Sequence, residues 1–290
     1  MKRKIQYKRL MILVGFIIFI LICAWLLVRA FLSKPSSELS KPAEINTLNT
    51  DSSIPDLSSF LKTSLSPVGK VMYIWGGGWN EEDTGSGVEA TRLGLAPAWV
   101  EFTSQQDSSY DYEDHLYEIH NGLDCSGFVG WVLYNTFEHE DGKDGYVALS
   151  GELPSDLAQK GWGKLIPAAK IDSYEPGDIL GNEGHIYIVL GEMEDGSVLL
   201  VHSSPPGVQI SGTPTPNGDL SSQAILLANS IMSERYTAWS EKYPDHTVDL
   251  SYLQGYDQFR WDPSILTDVH GLKKMPTDSR MDYLFSSLEN

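Results

Sequence analysis

One stretch of sequence, Cys125 to Phe137, limits the possible folds more than any other. From Cys125 its apolar residues Phe128, Val129, Val132, Leu133 and Phe137 recur at helical spacing, and Asp124 stands where an N-cap belongs. Strand-length runs follow. Pro176-Gly177-Asp178 is a turn signal before Ile179-Leu180, and Gly181 to Gly184 turns again before the run 185–190. Glu194 to Ser197 reads as a hairpin turn, with Val198 to His202 as the return strand. Val208 to Ile210 and Phe259 to Trp261 read as further strands, the latter closing the sheet. Residues 219–236 read as a helix with Leu220, Ala224, Leu227 and Ile231 on one face. A helix first and antiparallel strands after it is an α+β order.

The rest of the chain sets the organisation. The 290 residues include eight Trp and are 41% hydrophobic, which predicts a substantial core and excludes a disordered chain. Leu10 to Val28 carries no charge, and as a helix this run is roughly 28 Å long, about one hydrocarbon core. Five basic residues precede it, so the remainder is expected outside the cell membrane. The expected division is a cytoplasmic tail (1–9), a transmembrane anchor (10–32), a flexible Ser/Pro-rich linker (33–66) and a folded domain (67–290). A cleaved signal peptide is the alternative for the first segment, and it too exports the domain.

Charge is divided along the chain. Residues 1–34 hold seven of the 21 basic side chains and no acid. The rest therefore carries 14 basic against 39 acidic groups, a formal charge of −25. Such a domain repels phosphate backbones, so a nucleic-acid partner is not expected. The acidic run Glu81-Glu82-Asp83 reads as a solvated loop.

The chain has two cysteines, and Cys23 lies in the apolar run, which leaves Cys125 alone in the exported part. At the first turn of a helix a thiol meets unpaired N–H groups and the positive end of the dipole, which favour the thiolate and hence a nucleophile. A cysteine nucleophile needs a base, and His185 opens an apolar strand directly after Gly184. If 185–190 and 198–202 form one hairpin, His202 falls beside His185 and can orient it. Tyr73 leads into Ile74-Trp75-Gly76-Gly77, whose glycines permit close approach of the backbone to a cleft, where a phenol could bond a thiolate or an oxyanion. His115, His120, His139, His246 and His270 read as surface or loop residues. No short paired ligand spacing of the HExxH or CxxC kind is present, so neither a metal nor another cofactor is expected.

Five segments in order, YIWGG (73–77), LDCSGFV (123–129), PGDIL (176–180), GHIYIVLG (184–191) and VHSS (201–204), resemble the NlpC/p60 family of papain-like cell-wall peptidases. The resemblance implies a cysteine-bearing helix packed on an antiparallel sheet. It implies Cys125 as nucleophile, His185 as base, His202 as third member, Tyr73 pointing at the cysteine, and Asp124 and Ser126 at a substrate amine. It implies hydrolysis of the bond between D-γ-glutamate and a diamino acid in peptidoglycan stem peptides (muropeptides), without a metal. Two stretches, 79–122 and 211–258, read as insertions into that core, the first a candidate lid. A papain-like amidase or transferase of the CHAP type is the rival enzyme reading, and a non-catalytic wall-binding protein the rival of another class. Oligomeric state is not legible.

Overall fold

The computed structural model describes residues 54–288. Among them are seven α-helices and one eight-stranded sheet, a mixed α/β architecture. The helices are α1 (Leu57–Leu65), α2 (Pro97–Gln105), α3 (Cys125–Phe137), α4 (Leu153–Gln159), α5 (Gln223–Arg235), α6 (Thr237–Lys242) and α7 (Thr277–Ser286). The strands are β1 (Met72–Tyr73), β2 (Gly122–Leu123), β3 (Gly163–Ile166), β4 (Ile179–Gly181), β5 (Ile186–Glu192), β6 (Val198–Ser204), β7 (Gly207–Gly212) and β8 (Asp257–Trp261). Their spatial order is β2-β1-β7-β6-β5-β4-β8-β3. Every pairing is antiparallel except β1 with β2, which run parallel, so the sheet is not the purely antiparallel one expected. The strand at 257–261 does not close the sheet either, because it lies between β4 and β3.

Side chains alternate along a strand. In β5 and β6 one parity (Ile186, Ile188, Leu190, Leu199, Val201) packs into the main core with α3. The other parity (Tyr187, Val189, Val198, Leu200) faces a second, smaller core completed by Val248, Tyr252, Leu253 and Tyr256. Both sheet faces are covered, which is why IYIVL and VLLV read as continuous apolar runs rather than alternating ones. The turn Met193–Ser197 closes the β5–β6 hairpin, with Gly196 at φ 78°. The PGDIL segment anchors β4. Asp178, almost fully buried, takes Nη2 of Arg260 at 2.9 Å and Nε2 of Gln258 at 2.7 Å, both from β8, while Gly177 accepts the Trp261 indole N–H at 2.8 Å.

Two expectations need correction. The flexible linker does not extend to residue 66. Asp56 caps α1 by accepting from Ser58 and Ser59, and Leu57, Phe60, Leu61 and Leu65 of that helix are fully buried in the main core. Serines and threonines between these residues mask a helical stripe in the sequence, and the folded domain starts before residue 67. Leu220 is not on the face of a helix, since α5 begins at Gln223 and Leu220 is exposed. Within the insertion 79–122, Trp99 of α2 is fully buried edge-on to Trp131 of α3, and the Tyr110 hydroxyl donates to the Tyr73 carbonyl at 2.6 Å. Among the described residues no helix is long and apolar enough to cross a membrane, and the expected anchor at 10–32 lies outside them.

Candidate active site

Cys125 is the first residue of α3, and Asp124 is its N-cap. The Asp124 carboxylate accepts the Gly127 N–H at 2.6 Å, the Ser126 hydroxyl at 2.8 Å, and the Gly76 N–H of the glycine loop. Ser126 in turn accepts the Trp79 indole N–H at 3.0 Å. The loop is pressed against the helix start: a Cβ on Gly127 would collide with the Gly77 carbonyl oxygen, and Gly76 and Gly78 sit at φ 83° and 92°. Glycine is required here for both conformation and space. Asp124 and Ser126 are thus spent on building the site. Both are buried, with Asp124 Oδ1 engaged by Ser126 and Gly127 and Ser126 Oγ by Trp79.

His185 sits just before β5. Asn182 holds it there, its Oδ1 accepting both the Gly184 and the His185 N–H at 2.9 Å. The next amide, Ile186 N–H, lies close enough to the Cys125 sulfur to favour its thiolate, so the sulfur is near the peptide that joins His185 to the strand. His185 Nε2 is 3.0 Å from His202 Nδ1, and His202 Nε2 is 3.1 Å from Ser211 Oγ. The hairpin register explains this. His202 continues the Val198–Leu200 parity and pairs across with Gln209, so it points to the second face, the face shared by Tyr187 and Val189. Over the two imidazoles lies Tyr252, its ring centroid 5.5 Å from that of His185 and 5.9 Å from that of His202. Its hydroxyl is bonded to the Ser204 side chain.

Burial sets the protonation states. Cys125 is 9% exposed. Desolvation first, then the Asp124 charge, push its thiol up to about 12 against the opposing pull of the Ile186 N–H. Loss of water pulls His185 down to about 4. His202, 1% exposed, is held well below its ordinary value by burial and by His185. Burial thus favours the thiol and the neutral imidazole, and opposes the thiolate that the helix start alone suggests. Tyr73 is raised above its ordinary value by burial and then by Cys125 and Asp124, so its phenol stays neutral within electrostatic reach of the sulfur. Burial likewise raises Asp124, to about 6.

Cys125 lies with Asp124, Ser126, Tyr73 and the Ile186 amide, and His185 with His202 on the second sheet face. Sequence reasoning missed Asn182, Ser211 and Tyr252. The only signal for Tyr252 was its spacing from Tyr256 in a polar stretch. His246 is not a surface residue. It is 1% exposed and lies between Gln209 Oε1 and Ser240 Oγ, at 3.2 Å from each. Its loop crosses the second sheet face, which a linear pattern does not reveal. Among the described residues no group of three or more His, Cys, Asp or Glu side chains is placed to hold a metal ion. No protein-family model matches the chain, and no curated protein matches it significantly.

Proposed function

We propose that the protein is a cysteine peptidase of the papain-like NlpC/p60 type that cuts peptide bonds in peptidoglycan stem peptides outside the cell membrane. One observation carries the reading: the lone cysteine of the domain starts a helix against the His185–Ile186 peptide, and His185 continues into a hydrogen-bonded line through His202 to Ser211. For His185 Nδ1 to accept a proton, Nε2 must carry one and donate it to His202 Nδ1. His202 Nε2–H then donates to Ser211. The line permits the tautomer a general base needs.

As substrate arrives, the sulfur bonds to the carbonyl carbon while its proton passes to His185. The oxyanion meets N–H groups at the start of α3 and the Tyr73 phenol. The C–N bond breaks as His185 returns the proton to the departing amine, leaving a thioester. Water, deprotonated by the same nitrogen, then cleaves the thioester and restores the thiol. The wall substrate and the bond from D-γ-glutamate to a diamino acid rest on the five ordered segments. The outward location rests on residues 10–28, which lie outside the described part.

The test is mass spectrometry of purified peptidoglycan after incubation with the full chain. A cut inside the stem peptide is expected, and a freed whole stem would indicate an amidase instead. Undiminished activity of Cys125→Ser would refute the mechanism. The near-burial of Cys125 favours one second reading, a wall-binding protein without turnover. Muropeptide binding with no product would decide for it.

A further inference from the structure

Beside the imidazole pair is an open cleft of about 530 Å³, lined by His202 and Tyr252 together with residues of the 242–249 segment. The mechanism above uses no group in it beyond His202. Gln209, 6% exposed, forms part of its wall from β7, directly across from His202. The orientation of the Gln209 carboxamide is fixed. The Trp239 indole can only donate, and its N–H lies 3.4 Å from Oε1, where His246 Nδ1 also lies, at 3.2 Å. The Nε2 end has no partner among the described residues. With no protein acceptor, that end is available to an acceptor entering the cleft.

The charges in the same cleft complement that donor. Lys242 spends one N–H on the Gln106 carbonyl at 2.7 Å, and no ion pair joins it to Asp245 or Asp249. Each aspartate spends only Oδ1 on its own loop: Asp245 on Thr247 N–H at 3.0 Å, Asp249 on Ser251 N–H at 2.7 Å. Both side chains keep an oxygen open. The cleft therefore offers donors for a carboxylate (Gln209 Nε2, Lys242) and acceptors for an ammonium (Asp245, Asp249).

We propose that this cleft binds a free amino-acid end, a carbon carrying both an ammonium and a carboxylate, and so selects substrates that present one next to the scissile bond. Its role as a subsite rests on the hydrolase reading, but its ligand chemistry does not.

Two measurements separate them. First, lysine, Nα-acetyl-lysine and lysine amide are titrated into the full chain and followed by NMR shifts. Lysine should saturate, and each capped form should bind at least tenfold more weakly. Gln209→Leu should erase the preference for the acid over the amide. Asp245→Asn with Asp249→Asn, which keeps both loop acceptors, should erase the preference for the free amine. These aspartates are exposed, so that variant stays informative if Gln209→Leu fails to fold. Equal binding of the three ligands, or no saturation by lysine, overturns the proposal. Second, cleavage of wall fragments is measured. Cleavage without ligand discrimination sinks the cleft alone, and discrimination without cleavage sinks the hydrolase alone.

Discussion

Alkylation of Cys125 by iodoacetamide tests the electrostatics of the site directly. Its thiol is pushed up to about 12 by burial and by Asp124. At pH 7 the thiolate fraction is then on the order of 10⁻⁵, against about 10⁻² for an ordinary thiol. Labelling should be roughly a thousandfold slower than that of a free thiol at neutral pH. It should rise about tenfold per pH unit up to pH 10 with no plateau. The assay is intact-protein mass spectrometry over pH 6–10, with peptide mapping to separate Cys125 from Cys23 and Cys125→Ser as control. Addition of a bound substrate fragment that displaces water should change the rate, not the slope. Fast labelling that stays flat from pH 5 to 8 would refute the reasoning. It would mean that the helix start and the Ile186 N–H stabilise the anion by more than desolvation disfavours it. An ion pair would then precede substrate, and the proton transfer proposed above would already have happened in the free enzyme.

Three further outcomes follow. Leu61→Ala should cost about 2–5 kcal/mol in urea denaturation, and a fragment starting at residue 67 should fail to fold, because α1 fills the main core. Gly127→Ala, which drives a Cβ into the Gly77 carbonyl, should cost about 1–3 kcal/mol and abolish wall cleavage, while a normal melting temperature would show that the glycine loop yields freely. Stability should fall on acidification. His185 has a folded value of about 4, below its ordinary 6.5, so its contribution is present above pH 6.5 and is lost as pH falls through 4. By pH 4.5 that loss is about 2–3 kcal/mol, with His202 adding in the same direction. The paired variant His185→Gln/His202→Gln should flatten the difference between denaturation at pH 7.5 and pH 4.5, and an unchanged slope would count against it.

Helix α3, the β5–β6 hairpin and the meeting of His185 with His202 were legible because each follows from local periodicity. A period-2 hairpin closed at 194–197 fixes which residues face each other. Helix α1 was hidden because four apolar residues at helical spacing stand among serines and threonines that also describe a linker. The burial of His246 and the placement of Tyr252 were not legible, because both depend on a segment that leaves α6 and crosses the far face of the sheet. The burial of the thiol was not legible for a related reason. A helix start is visible in sequence, whereas the walls that exclude water from it come from Gly76–Trp79, Tyr73 and Ile186.

The misplacement of His246 and the omission of Tyr252 share one cause, the covering of the second sheet face. The parity that turns Tyr187 and Val189 toward Val248 and Tyr256 also turns His202 toward Tyr252. Removing water from the imidazoles keeps both neutral, so the base is strong enough to accept a proton only when the substrate's own charge development draws it. A solvated pair would be charged beforehand and would react with any electrophile. A covered one depends on what fills the adjoining cleft, and that cleft is bordered by the same residues 242–252 that do the covering. If the proposed hydrolase reading holds, one segment sets both reactivity and selectivity, so substitutions there, Tyr252→Ala first among them, should alter the pH profile of cleavage and the choice of substrate together.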